Sequence, residues 1–193
     1  MDFRAHYRVK PRSRVVIREI STKDTGDIDS KVNAELMMAK SVEQLASLSE
    51  LLYAQKQWSV LVILQALDAA GKDGTIKHVM SGVNPSGCQV VNFVAPTKQE
   101  VNHDYLWRHV RELPERGCIG IHNRSHYEEV IVTQVHPGIL AKQPLPDAVR
   151  VPHLVRRRYR EINRFERYLV DNGTIVLKFF LHLSKREQWR RLP

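Results

Sequence analysis

The sequence predicts a three-layer α/β/α fold, a parallel sheet with crossover helices on both faces. Three features point there. Trp58-Ser59-Val60-Leu61-Val62-Ile63-Leu64-Gln65 is a short, continuous, β-branched apolar run, as expected of a parallel strand covered on both sides. Further apolar runs alternate along the chain with stretches of helical period. The first run ends abruptly in a segment rich in small residues, Ala66 to Gly74, which opens a helix.

Residues 1–30 read as an irregular arm. Pro11, Gly26 and the mixed charges Arg12, Arg14, Arg18, Lys23 and Asp24 sustain no period. A single domain is expected over 31–193. It starts with a helix from about Lys31 to Gln57, with Leu45, Leu48 and Leu52 on one face and Glu43, Ser47 and Glu50 off it. After the first strand, Ile76, Val79, Met80 and Val83 follow helical spacing until Gly82 and Pro85 close the element. Val90–Val94 reads as a second strand. Pro96 to Glu100 reads as a turn into a helix carrying Tyr105, Leu106 and Val110. Ile119-Gly120-Ile121 is a third short strand, followed by a loop containing Pro137, Gly138, Pro144, Pro146 and Pro152. A helix from about Arg156 to Val170, a strand Thr174–Leu183 and a final helix starting near Ser184 complete the order.

Composition narrows the function. The chain has 193 residues, 42% hydrophobic and 26% charged, an ordinary balance for a packed globular domain. No run of about 18 apolar residues occurs, so no membrane helix is expected. Two cysteines, Cys88 and Cys118, are too few for a disulfide framework, and a reducing cytoplasm is the expected setting. The formal net charge of +9 suits a polyanionic partner. Nucleic acid is disfavoured: only 7% of residues are aromatic, and most are expected in core positions, leaving no platform for stacking bases. The long first helix leaves room for a homo-oligomer.

The segment Asp68-Ala69-Ala70-Gly71-Lys72-Asp73-Gly74-Thr75 lies between strand and helix, where a phosphate-binding loop belongs. Small residues let backbone N–H groups approach phosphate oxygens, and the following helix adds the positive end of its dipole. Lys72 is a flexible cation for the transferred group, and Thr75 offers a hydroxyl to phosphate or Mg²⁺. The usual spacing asks for Gly at 66 and Ser or Thr at 73, where this chain has Ala66 and Asp73. A plain strand-to-helix turn with a solvated lysine is the alternative. A second cluster, Asn123-Arg124-Ser125-His126-Tyr127-Glu128-Glu129, follows the third strand and is expected to face the same crevice. Arg124 is suited to a bidentate phosphate clamp; a salt-bridged helix start is the alternative. His122 and His126 lack a third ligand and do not read as a metal pair. The third cluster is a helix with Tyr159, Ile162, Phe165 and Leu169 on one side and Arg156, Arg160, Arg164 and Arg167 on the other. This basic stripe fits either a solvated face or a polyanion track.

Together these clusters resemble the polyphosphate kinase 2 family, which has a P-loop kinase fold. The similarity runs from about residue 30 to the C-terminus. It is carried by LQALDAAGKDGTIKHVMSGVNPSGCQVVNF (64–93), HDYLWRHVRELPERGCIGIHNRSHYEEVIVTQVHP (103–137), RYREINRFERYL (158–169) and FFLHLSKREQWRRL (179–192). The resemblance implies Mg²⁺-dependent transfer (Mn²⁺ as a substitute) of a phosphoryl group between inorganic polyphosphate and a nucleoside mono- or diphosphate. It implies that Asp68 helps hold Mg²⁺ and orients the acceptor, and that Lys72 bridges donor and acceptor phosphates. Ala69, Ala70, Gly71, Asp73, Gly74 and Thr75 would form the phosphate loop. Asn123 and Arg124 would be the second amide-or-acid plus arginine pair, and Glu128 a further orienting group. Ser184 to Arg191 resembles the start of a lid helix, with Lys185, Arg190 and Arg191 covering polyphosphate. His122 stands where the family usually has Phe. Pro193 falls where the family continues through the rest of the lid, so that region is expected to be incomplete. A non-catalytic polyanion-binding relative and a conventional ATP-dependent small-molecule kinase are the competing readings.

Overall fold

Four parallel strands form the sheet of the computed structural model, which describes residues 2–192. They are β1 (Ser59–Ala66), β2 (Cys88–Asn92), β3 (Ile119–Asn123) and β4 (Thr174–Leu181), in the order β2-β3-β1-β4. In register, Val62 of β1 faces Ile121 on one side and Leu177 on the other, which makes β1 an inner strand. Its continuous apolar run follows from that position, because helices cover both of its faces. On one face Val60, Val62 and Leu64 meet Leu45 and Leu52 of helix α2 (Lys31–Gln55). Ile76 of α3 (Lys72–Val79) and Met80, which caps it, join the same cluster. On the other face Leu61 and Ile63 meet Leu169 and Phe165 of α8 (Leu154–Asp171). Leu61 and Ile63 are essentially inaccessible, so truncating either would cost about 3 kcal/mol.

Preceding the sheet, no residue from 2 to 30 is buried; that stretch holds only a short helix, α1 (Phe3–Tyr7), and one 3-10 turn. Between β2 and β3 the expected single helix is two short ones, α4 (Lys98–Val101) and α5 (Trp107–Arg111). The segment expected as a loop after β3 contains two helices, α6 (Glu128–Val135) and α7 (Pro137–Ala141). The β-branched run Val130-Ile131-Val132-Thr133 obscured α6, since such residues are poor helix formers in isolation. Packing decides it: Val130 and Thr133 are buried, and Pro137 is tolerated because it sits in the first turn of α7. The final helix is α9 (Lys185–Arg191), N-capped by Ser184.

Three expectations about burial are corrected. On α2, Leu45 and Leu52 pack inward but Leu48 is 62% exposed, and Ser49 is buried instead. The helix rests on the row Leu45–Ser49–Leu52, which puts Leu48 to one side. On α8, Ile162 and Leu169 are buried as expected, whereas Tyr159 is 40% exposed and Arg158 and Glu166 are interior. Aromatic residues are not mainly in the core. Trp58, Tyr168, Phe179, Phe180 and Trp189 are all exposed, and Phe93 is the aromatic that is fully interior among the described residues.

Candidate active site

The chain leaves β1 toward β2 in one direction and leaves β3 toward β4 in the other, so the carboxyl ends of β1 and β3 flank the topological switch point. An open parallel sheet has its natural crevice there. Ala66 still belongs to β1, paired with Leu181, so its extended backbone does not require the glycine of the usual spacing. The loop proper is 67–71. It tightens through the Ala70 N–H to the Leu67 carbonyl at 3.2 Å. Ala69 has φ 60° and Gly71 has φ 96°, both left-handed; glycine adopts this freely and alanine only under strain. Gly71 then caps α3, so the first amides of that helix and its positive dipole end open onto the loop.

Lys72 is the first residue of α3 and is only 9% exposed, with its ammonium 3.5 Å from the Leu67 carbonyl across the loop. The loop therefore curls around the lysine head group. Asp73 accepts from Asn123 Nδ2 at 2.6 Å, and the same amide donates to Asn92 at 2.7 Å. This ties the start of α3 to the ends of β3 and β2. The Asn123 Oδ1 is buried without a partner among the described residues. Thr75 donates its hydroxyl to the Gly71 carbonyl at 3.0 Å, and Gly74 has open space where a Cβ would stand.

From the β3 side, Arg124 also sits at positive φ, 66°, with its N–H bonded to the Leu64 carbonyl. That turn aims its guanidinium back across the switch point, where Nη2 meets Asp68 Oδ1 at 2.5 Å. Both side chains are well exposed, so the pair is of the weak, exchangeable kind. Glu128, at the start of α6, accepts from Gln65 Nε2 at 2.8 Å; Gln65 also accepts from Ser125, and so braces this loop against β1. Behind it, Glu166 bonds Tyr127 at 2.7 Å and Lys178 at 2.6 Å. Burial pushes the Glu166 carboxyl up, but bonds from His126, Lys178 and Tyr127 outweigh it and leave it below the ordinary range. Burial, chiefly, pushes Tyr127 up to about 12.

Helix α9 lies on the loop's outer side. Gln188 donates to the Asp68 carbonyl at 3.0 Å, and Arg191 reaches the Ala70 carbonyl at 3.3 Å. Asp68, the loop 69–71, Lys72, Asp73, Asn123, Arg124 and Arg191 are thus gathered at one place, with Glu128 braced beside them. Among the described residues Arg190 pairs only with Glu187 of its own helix, and Lys185 is exposed with no side-chain bond. On α8, Arg156, Arg160, Arg164 and Arg167 are exposed and make no ion pair among the described residues. His122 and His126 are buried, and no group of three potential metal ligands exists among the described residues. Sequence reasoning missed Asn92, Gln65 and Gln188. For Gln188 the Ser184-x-x-Glu187 capping pattern was the available signal, because it fixes which side of α9 starts over the loop.

Comparison with known proteins agrees with this fold. The family model described as Polyphosphate kinase 2 (PPK2) matches residues 28–193. An ADP-polyphosphate phosphotransferase of Rhodopseudomonas palustris is 47% identical over 96% of the chain. An AMP/ADP-polyphosphate phosphotransferase of Meiothermus ruber is likewise 47% identical over 96% of the chain. The chain spans 64% and 66% of the lengths of these two relatives. A crystal structure of polyphosphate kinase 2 from Arthrobacter aurescens TC1 superposes with a TM-score of 0.83 at 34% identity, covering 95% of this chain and 62% of that one.

Proposed function

The chain belongs to the polyphosphate kinase 2 family, and on that premise we propose that it moves a terminal phosphoryl group between inorganic polyphosphate and a nucleoside mono- or diphosphate. One observation carries the reading: two adjacent strand ends bring Lys72, folded into its loop, and Arg124, paired to Asp68, to the same crevice. The relatives' names favour AMP and ADP as acceptors.

Phosphoryl transfer asks for alignment and charge neutralisation rather than covalent help from the protein. Polyphosphate and a nucleotide repel each other, so the site must supply fixed positive charge. Lys72 is suited to span donor and acceptor oxygens from inside the loop, while the amides opening α3 hold the same phosphates. Arg124 is suited to fork the group in transfer, exchanging its weak bond to Asp68 for phosphate oxygens. Freed in that exchange, the exposed Asp68 carboxylate would hold Mg²⁺. One carboxylate plus phosphates and water fits that ion, which rarely uses an all-protein cage. When bound, Mg²⁺ supplies charge neutralisation on the phosphates. Asp73 already has a bond from Asn123 and is read as shaping the loop.

Among the described residues no helix is long and apolar enough to cross a membrane. Both cysteines are free thiols, and on that usage we read a reducing, cytoplasmic setting. The exposed Leu48 and Leu51 on α2 leave a side for self-association.

The test is ATP or ADP formation by the purified chain from polyphosphate, Mg²⁺ and a panel of nucleotides. Lys72→Ala and Arg124→Ala should each lower turnover roughly 10³-fold or more with the fold intact. Wild-type-like turnover in either would refute the assignment, and polyphosphate binding without any transfer would favour a non-catalytic relative.

A further inference from the structure

Within α9, Glu187 bonds both arginines beside it: Arg190 Nη2 at 2.8 Å and Arg191 Nε at 2.8 Å. The bond from Arg191, above all, holds its carboxyl below the ordinary range; burial opposes this, and Arg190 adds to the lowering. Ser184 and Glu187 together spell a capping box, the N-cap hydroxyl with an acid three residues on. A completed box exists elsewhere in the molecule. At α4, Thr97 accepts from the Glu100 N–H at 3.3 Å, and Glu100 accepts in return from the Thr97 N–H at 2.6 Å. At α9 only the first half is made: Ser184 accepts from the Glu187 N–H at 3.2 Å, and the acid goes to the arginines instead. Glu187 thus has two sets of partners to choose between, three or four residues ahead of it or at the helix start behind it.

We propose that Glu187 is an internal anion that competes with the phosphate chain for Arg190 and Arg191, and that on displacement it turns back to complete the capping box at Ser184. This rests on reading those arginines as polyphosphate contacts. The ion pairs are exposed, with Arg190 78% and Glu187 26% accessible, and pairs of this kind exchange readily for a polyanion that offers more oxygens. The capping box lowers the cost of releasing the acid, because its carboxylate gains a backbone N–H as it leaves. Affinity for the chain is thereby held below what two unpaired arginines would give, which favours stepwise release of a polymer shortened by one unit each cycle. Binding also exchanges Glu187, rather than salt counterions, off the arginines, so its salt dependence is shallower than the arginine count implies.

The experiment measures binding of fluorescently labelled polyphosphate to the full chain at several salt concentrations, for four proteins. These are wild type, Glu187→Gln, the double variant Arg190→Ala/Arg191→Ala, and the triple combination. Glutamine keeps the capping function, so α9 should stay folded. Glu187→Gln should tighten binding about threefold, as expected for loss of two exposed intrahelical pairs. It should also steepen the slope of log Kd against log salt by roughly one ion. In the double-variant background the same substitution should change nothing. Unchanged or weaker binding in Glu187→Gln would overturn the inference while leaving the substrate reading in place. So would tightening that persists without the arginines, since that is a general charge effect. A wild-type chain that fails to bind polyphosphate would remove both.

Discussion

Arg124 and Ala69 both stand at positive φ, 66° and 60°, which costs a residue with a Cβ about 1 kcal/mol each. Each turn shapes the crevice: one aims a guanidinium at Asp68, the other curls the loop around Lys72. Ala69→Gly should therefore stabilise the fold slightly, by about 0.5 kcal/mol after the entropy of glycine is counted, read as a shift in the urea midpoint. Arg124→Lys keeps the charge but loses the planar fork, so turnover should fall roughly 100-fold at unchanged melting temperature. Arg158 is a different kind of arginine. It is buried, bonded to Glu129 and to Gln143, and lies over the Tyr105 ring at 4.8 Å. Arg158→Ala would leave the largely buried Glu129 carboxylate without its cation, held only by Gln143 at 2.9 Å, costing about 3 kcal/mol in urea denaturation with little direct effect on the chemistry.

Elements were legible where a local pattern sufficed and obscure where packing chose. The loop between β1 and α3 was readable because small residues, a lysine and a helix start are consecutive in the chain. The burial of α2 was half readable: periodicity put Leu45, Leu48 and Leu52 on one face, and contact with the sheet rotated that face toward Ser49. The rotation is fixed by Gly82, where an added Cβ would stand 2.8 Å from Val42 Cγ1 and 3.7 Å from Ala46 Cβ. Gly82→Ala should push α2 off this turn and cost about 1–3 kcal/mol, again seen in urea denaturation. α6 was legible only as an alternative helix start beside Arg124, since its β-branched residues hold a helix under the cover of α8.

At the scale of the molecule, one side of β3 is filled with imidazoles rather than aliphatic side chains. His109 and His122 pack around Phe93, with His126 next to His109. Burial, chiefly, lowers His109 to about 2 and His122 to about 4. Between the unfolded value near 6.5 and these folded values, the unfolded chain binds protons that the folded chain does not, so stability falls as pH falls. Each histidine should contribute about 1 kcal/mol per pH unit below pH 6, and the lowered Glu166 adds loss in the same direction at lower pH. Urea midpoints at pH 7.5, 6.5 and 5.5 check this. His122→Phe, which puts a ring of similar shape against Phe93, should roughly halve the slope.

By itself the amino-acid sequence determined the layer architecture, the small-residue loop that opens α3 and the arginine that follows β3, because each is written in consecutive residues with a local physical reason. Only the tertiary structure decided which side chains complete the site. Asn92 is 31 residues from Asn123, and Gln188 is 120 from Asp68. No local periodicity encodes such meetings, since they depend on the strand order that sets β2 beside β3 and brings β4, and with it α9, to the far side of β1.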